Sequence, residues 1–422
     1  CRLVGSEMCI RDRDVRSPRL CGQHLVAGSS ESTPTPGGGK PYDSSVNSSG
    51  PGGWDGPNPE PREPEIDVRV WFSWSISGRS SRNRCSGGSI APRVWFAQEG
   101  EARVNPVAPT VLSRLERLHE SIVRVIRGKA ELVDSLIAAL IARGHVLLED
   151  VPGVGKTTLA QALARSLDLD FHRIQFTSDT LPSDIIGISV YRQDTGDFEF
   201  MPGPLFANVV LADEINRAAP RTQSALLEAM SEKAVTVDKN RHELAVPFLV
   251  VATQNPIEST GTYPLPESQL DRFLMRLSMG YPGRGEELEL LRSGGTEPEL
   301  EQLQPVLTAA EVLELQDEVS DVHVSDELRR YLMDVVERTR SHEALALGVS
   351  TRGTLAWQRC AQALALVKGR PFVIPDDLQE TAEAVLAHRI LLADPLIDDG
   401  WERSRRERAV IRSILESVPV PR

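Results

Sequence analysis

The run Asp150-Val151-Pro152-Gly153-Val154-Gly155-Lys156-Thr157-Thr158 sets two glycines, a lysine and two hydroxyls in an order that suits a chain of phosphates. Glycine backbone can curl so that successive N–H groups converge on anionic oxygens. Lys156 would reach the terminal phosphates as a point charge, and the Thr157 hydroxyl suits Mg²⁺. Gly153, Val154, Gly155, Lys156, Thr157 and Thr158 are therefore the candidate nucleotide-binding residues. Asp150 stands where the pattern G-x-x-x-x-G-K-[ST] has its first glycine. A glycine-rich turn with an incidental lysine would look similar, so the motif needs partners elsewhere.

Two partners are present. Asp213-Glu214 follows the apolar run Val209-Val210-Leu211-Ala212. At a strand end such a pair can hold Mg²⁺ through Asp213 and polarise an attacking water through Glu214, a Walker B arrangement to match a Walker A loop. Alone, the same pair could simply cap a helix. Asn255 follows a third apolar run, Phe248-Leu249-Val250-Val251-Ala252. Its amide can bond a terminal phosphate or the lytic water, or it can cap a turn before Pro256.

These residues need a scaffold. Apolar spacing predicts helices over 111–126 and 131–143, a strand at Val146-Leu147-Leu148, and a helix carrying Leu159, Leu163 and Leu167. Strand-like runs recur over 171–176 and 273–279. Five strands separated by helices predict a parallel α/β sheet, with ligand bound outside the strands' carboxyl ends. Two hairpins are expected. One spans 190–201 around Asp194-Thr195-Gly196-Asp197. The other pairs 234–237 with 244–246 around Lys239-Asn240-Arg241. Beyond Gly285 the pattern turns helical, over 286–292, 309–319, 325–339, 351–368 and 376–390.

The ordered series of motifs resembles the AAA+ ATPases, and within them the MoxR family. Besides the loop and the acidic pair, it includes Leu181-Pro182-Ser183-Asp184, Gly203-Pro204-Leu205-Phe206 and Asp213-Glu214-Ile215-Asn216-Arg217-Ala218. It continues through Gly261-Thr262-Tyr263-Pro264-Leu265-Pro266-Glu267 and Gln269-Leu270-Asp271-Arg272-Phe273-Leu274, within a resemblance that covers about 106–422. It implies an α/β P-loop core with a five-stranded parallel sheet (104–282), then an all-helical lid (283–422), with nucleotide between them and a hinge near Pro282-Gly283. It implies catalytic roles for Glu214, for Asn255 as a sensor, for Arg272 as an arginine finger entering a neighbour's site, and for Arg352 as a second sensor opening a lid helix. Thr351 stands where the family often has proline. ATP and Mg²⁺ are the implied cofactors, with Thr157 and Asp213 on the metal. The implied function is Mg-dependent ATP hydrolysis by a homo-oligomer, expected as a hexamer, coupled to chaperone-like remodelling or maturation of a protein client. Relatives often partner von Willebrand factor A-domain proteins. Two other readings stay open: an ATP-dependent binding switch or scaffold, and a nucleic-acid motor.

Composition narrows these. Across 422 residues, 47 basic against 60 acidic side chains give a net charge of -13, which argues against a nucleic-acid-coating protein. No apolar run reaches the length of about eighteen residues that a membrane helix needs, so no span is expected. The histidines and cysteines show no ligand spacing for zinc. After residue 100 the one cysteine is Cys360, which suits a reducing cytoplasm. Residues 1–103 differ: low-complexity, rich in Gly, Pro and Ser, with Cys1, Cys9, Cys21 and Cys85 and no secretory signal pattern. Gly5-Ser6-Glu7-Met8-Cys9-Ile10-Arg11-Asp12-Arg13 resembles a translated sequencing adapter. The expectation is that 1–103 is disordered or artefactual, with Val104 a possible start.

Overall fold

The structure is a computed structural model, which describes residues 106–151, 153–255, 261–394 and 400–421. The reading of 1–103 and the start at Val104 lie outside the described residues, as do Pro152 and Pro256.

Helices α1 (Pro109–Val125) and α2 (Ala130–Ile141) lead into β1 (Val146–Glu149), followed by α3 (Lys156–Ser166), β2 (Phe171–Gln175) and the short α4 (Pro182–Ile186). A hairpin of β3 (Gly187–Tyr191) and β4 (Phe198–Pro202) precedes β5 (Val209–Asp213) and α5 (Pro220–Glu232). A second hairpin, β6 (Ala234–Val237) and β7 (Asn240–Glu243), precedes β8 (Leu249–Gln254), α6 (Glu267–Leu270) and β9 (Met275–Leu277). Next come α7 (Arg284–Ser293), α8 (Glu297–Glu301), α9 (Ala309–Glu318), α10 (Asp326–Ser341) and β10 (Leu345–Leu347). The series closes with α11 (Thr351–Val367), α12 (Pro375–Leu386), β11 (Leu391–Leu392) and α13 (Gly400–Ser417).

Five strands form the expected parallel sheet, in the order β2-β5-β8-β1-β9. Its central strands are apolar runs because both faces are covered. Leu148, Leu211 and Val251 pack into one core with α1, α2, α3 and the C-terminal helices. Their neighbours Leu147, Ala212 and Ala252 pack into a second core with α5, Phe176 and Phe273. The period of two along each strand thus feeds two layers.

The first hairpin forms around its expected turn. The second pairs in a different register: β6 meets Asn240–Glu243, not 244–246. Asp238 and Lys239 both take positive φ and make a tight two-residue turn, which brings the return strand forward to Asn240. The helices after Gly285 form where the periodicity puts them, and a short antiparallel pair, β10 with β11, sits among them.

Helix α13 had no counterpart in the sequence pattern. Its inner face is polar, with Ser404 and Glu407 buried beside Ile411 and Ile414. Glu407 Oε2 pairs with Arg276 Nη2 on β9 at 2.7 Å, and Ser404 Oγ donates to Glu149 Oε2 on β1 at 2.5 Å. The last helix is therefore stitched to the strand that carries the P-loop. Burial pushes the Glu407 carboxyl up, against the opposing pull of Arg276 and Arg403.

Candidate active site

The P-loop leaves the carboxyl end of β1 and enters α3. Gly153 and Gly155 take φ of 83° and 96°, which L side chains rarely adopt, so the loop requires glycine at both places. Val154 is buried between them. Helix α3 starts at Lys156 with no side-chain N-cap and no acidic residue in its first turn. A missing cap costs a helix about 1 kcal/mol. Fully burying Leu159 and Leu163 contributes about 2 kcal/mol each, so packing outweighs it. The helix can keep its first N–H groups turned to an anion. Thr157 and Thr158 follow Lys156 in that first turn.

Lys156 Nζ donates to the backbone carbonyl of Asp150 at 2.8 Å. Burial holds its pKa below the usual lysine value, while the carboxylates of Asp150, Asp213 and Glu214 work in the opposite direction. The three carboxylates and the ammonium thus share one field.

Asp213 ends β5, and Thr253 Oγ1 on β8 donates to its Oδ1 at 2.6 Å. Arg173 on β2 holds its other oxygen at 2.6 Å, so this strand-end carboxylate already takes a cationic partner. Glu214 is a non-glycine residue at φ 58°, ψ 49°, a strained conformation of the kind that clusters at functional sites. Its N–H donates to Thr253 Oγ1 at 2.8 Å. Its Oε2 accepts from Gln175 Nε2 at 2.9 Å and lies 3.0 Å from Arg217 Nε. Asn255 follows β8, and its carbonyl accepts from Asn216 Nδ2 at 3.2 Å. Asp150 N donates to Gln254 O at 3.3 Å, so the ends of β1, β8, β5 and β2 form one row. Backbone cradle, open helix end, lysine, hydroxyl and strand-end carboxylate together fit Mg²⁺ and a nucleoside triphosphate.

A cavity of about 290 Å³ opens beside the loop. It is lined by Gly153, Val154, Gly155 and Thr158, by Ile126 in the α1–α2 turn, and by Met279 after β9. Glu286 of α7 closes another side.

The two predicted arginines lie elsewhere. Leu274 N donates to His145 O just before β1 begins, which puts the Asp271–Leu274 segment at the amino end of the sheet. A four-residue strand separates it from the P-loop, about 13 Å at 3.3 Å per residue. Arg272 Nη1 donates to Leu227 O at 2.6 Å and Ser231 Oγ at 2.5 Å. It borders an open cavity of about 480 Å³ with Glu228, Glu232, Arg241 and Gln269. Arg352 is largely exposed, its Nη1 3.9 Å from Asp271 Oδ2. So the structure unites Lys156, Asp213, Glu214 and Asn255 in one row. It sets Arg272 and Arg352 together at the opposite end.

Residues 145–275 match the family model described as ATPase family associated with various cellular activities (AAA), and 337–414 match the AAA lid domain. The chain is 43% identical over 318 residues to Chaperone MoxR1 of Mycobacterium tuberculosis, covering 73% of this chain and 82% of the relative. The chain belongs to the MoxR family of AAA+ ATPases. Protein MoxR of Paracoccus denitrificans is 33% identical over 70% of this chain and 93% of its own length. An uncharacterized Bacillus subtilis protein, YeaC, is 50% identical over 72% of this chain and 93% of its own. A crystal structure from Cytophaga hutchinsonii, whose description proposes an ATPase, superposes with a TM-score of 0.66 at 38% identity, covering 74% and 96% of the two chains.

Within this MoxR-family chain, three residues make contacts to which the sequence assigned no role. Gln175 reaches Glu214 from the neighbouring strand. Asp271 joins the two distant arginines' segments. Asp150, legible only as a departure from the loop pattern, has a carboxylate that accepts from Gly280 N at 2.8 Å and Ser278 Oγ at 3.0 Å, and so anchors the loop to the chain after β9.

Proposed function

We propose that this protein is a Mg²⁺-dependent ATPase whose complete site forms between neighbouring protomers, and that its turnover remodels or matures a protein client. The observation that carries this reading is the separation of the P-loop row from Arg272 and Arg352 by the length of a strand. A cation so placed serves the triphosphate of a neighbour in a closed ring, expected to hold six copies. Lys156 and the first turn of α3 hold the phosphates. Thr157 and Asp213 would hold Mg²⁺, which supplies neutralisation of phosphate charge. Glu214 orients the water and accepts its proton, and Asn255 steadies the water or the terminal phosphate. Arg272, with Arg352 beside it, stabilises the charge that develops in the transition state.

The chaperone name of the mycobacterial relative supports a protein client. The family resemblance supports an A-domain protein as partner, and Cys360 as the one cysteine after residue 100 suits a reducing cytoplasm. Among the described residues, no helix is long and apolar enough to cross a membrane.

Mixed rings test the reading. Arg272→Ala and Lys156→Ala chains should each keep only a small residual turnover alone, the first still binding ATP. On mixing, an intact loop from one meets an intact arginine from the other, and turnover should return. Full turnover by Arg272→Ala alone would overturn the shared site.

A further inference from the structure

Arg389 ends a short turn (Ala387–Arg389) after α12, and its side chain is only 2% exposed. A guanidinium so buried must place its N–H groups on protein acceptors. All but one of them belong to the segment that carries Arg272. Nε donates to Asp271 Oδ1 at 2.8 Å, Nη2 to Phe273 O at 2.6 Å, and Nη1 to Leu274 O at 3.0 Å. The exception is Val385 O, one turn back in α12. His388 adds a bond from Nε2 to Phe273 O at 3.0 Å. The carbonyl next to Arg272 therefore takes two donors from the lid, and the carboxylate on its other side takes a third.

Two further contacts converge here. Arg352 approaches the second oxygen of Asp271, so one carboxylate is shared between a buried and an exposed arginine. Gly353, in the first turn of α11, lets the Arg389 stem pass, since a Cβ there would stand 2.9 Å from Arg389 Cδ. Among the described residues, Arg272's own guanidinium bonds to the α5 end of the core. Its backbone, by contrast, is gripped by the lid.

We propose that Arg389 is a positioning residue for Arg272: it fastens the backbone on both sides of Arg272 to the lid, so that the lid and the presented guanidinium move as one unit. This rests on the reading of Arg272 as a cation serving a neighbour's site. Movement of the lid in one protomer then shifts the Arg272 charge in the next protomer's site through the backbone that carries it. The planar fork is essential, because a lysine ammonium cannot bond a carboxylate and two diverging carbonyls at once.

The test uses the full chain carrying Arg389→Lys, Arg272→Ala, or both, with ring mass, ATP affinity and turnover measured. Arg389→Lys should lower kcat on the order of ten- to a hundredfold, as small misplacements of catalytic groups do. ATP affinity should stay within about twofold, because the change acts on the transition state and not on binding. In the Arg272→Ala background it should lower kcat no further. Wild-type turnover in Arg389→Lys, or a loss that adds in full to that of Arg272→Ala, overturns the proposal. If Arg389→Lys fails to fold, Gly353→Ala replaces it. Alanine favours the helix, but its Cβ would meet Val349 and the arginine stem at 2.8 and 2.9 Å, so the stem must shift and kcat should fall while ring mass and ATP affinity hold. Full turnover in Arg272→Ala alone defeats the shared-site reading, and this inference with it, in a variant where Arg389 is intact.

Discussion

Gln175 on β2 holds Glu214 after β5, with Nε2 donating to Oε2 at 2.9 Å. Arg217 approaches the same oxygen at 3.0 Å, so a donor and a cation both face it. Both favour the charged carboxylate and so oppose the transfer of a proton from water to that oxygen. Gln175→Leu should therefore raise basal ATP turnover by roughly fivefold, the equivalent of a hydrogen bond worth about 1 kcal/mol. Steady-state phosphate release measures it. A fall in turnover would mean that Gln175 aligns the carboxylate for use.

Lys156→Ala should abolish tight ATP binding. The ammonium sits at the start of α3 with its proton on the Asp150 carbonyl, ready to exchange that neutral acceptor for phosphate oxygens. Titration calorimetry should show affinity reduced at least tenfold, since a charge-assisted bond is worth about 1.5–3 kcal/mol. Unchanged affinity would remove Lys156 from the site.

Acid should weaken the fold through His145. Nε2 donates to Met230 O at 3.2 Å and Nδ1 accepts from Val250 N at 3.0 Å, which suits the neutral ring. Burial lowers its pKa from 6.5 to about 4. In that window the unfolded chain binds a proton that the native chain does not, so stability falls with falling pH. It is fully present above 6.5 and lost down to about 4, amounting to about 3 kcal/mol at the low end. Buried His388, also lowered, acts in the same direction. Urea midpoints should drop steadily from pH 7 to pH 5, and a flat profile would contradict the assignment.

Glu407→Ala should destabilise the protein by about 3 kcal/mol, because removing one partner leaves Arg276 buried with Glu149 Oε2 only at 3.7 Å. Arg114→Ala, which breaks more exposed pairs with Glu311 and Glu314, should stay within about 1 kcal/mol. Denaturant unfolding of both variants gives the comparison. Equal effects would show that the α13 contact is not the buried lock described.

Lys156, Thr157, Asp213, Glu214 and Asn255 were legible from the chain because the signals that place them are local. A strand announces itself by a run of apolar residues, and the polar residue after it must stand at the strand's end. Phosphate chemistry then limits which residue types can follow. Resemblance added Arg272 and Arg352 as names in a series but could not tell which end of the sheet they occupy. That depends on β9 pairing beside β1, which sets the segment before it next to His145. The grip of Arg389 on Asp271 joins positions 118 apart, and no local period signals such a contact. Helix α13 was invisible because its buried face includes a serine and a glutamate, which read as surface until Arg276 and Glu149 are brought against them. Local turns and periodicity thus determined the row of candidate phosphate-binding groups. Only the folded chain decided that the two arginines face away from it, because burial and pairing across the sheet arise from the whole topology and leave no local mark.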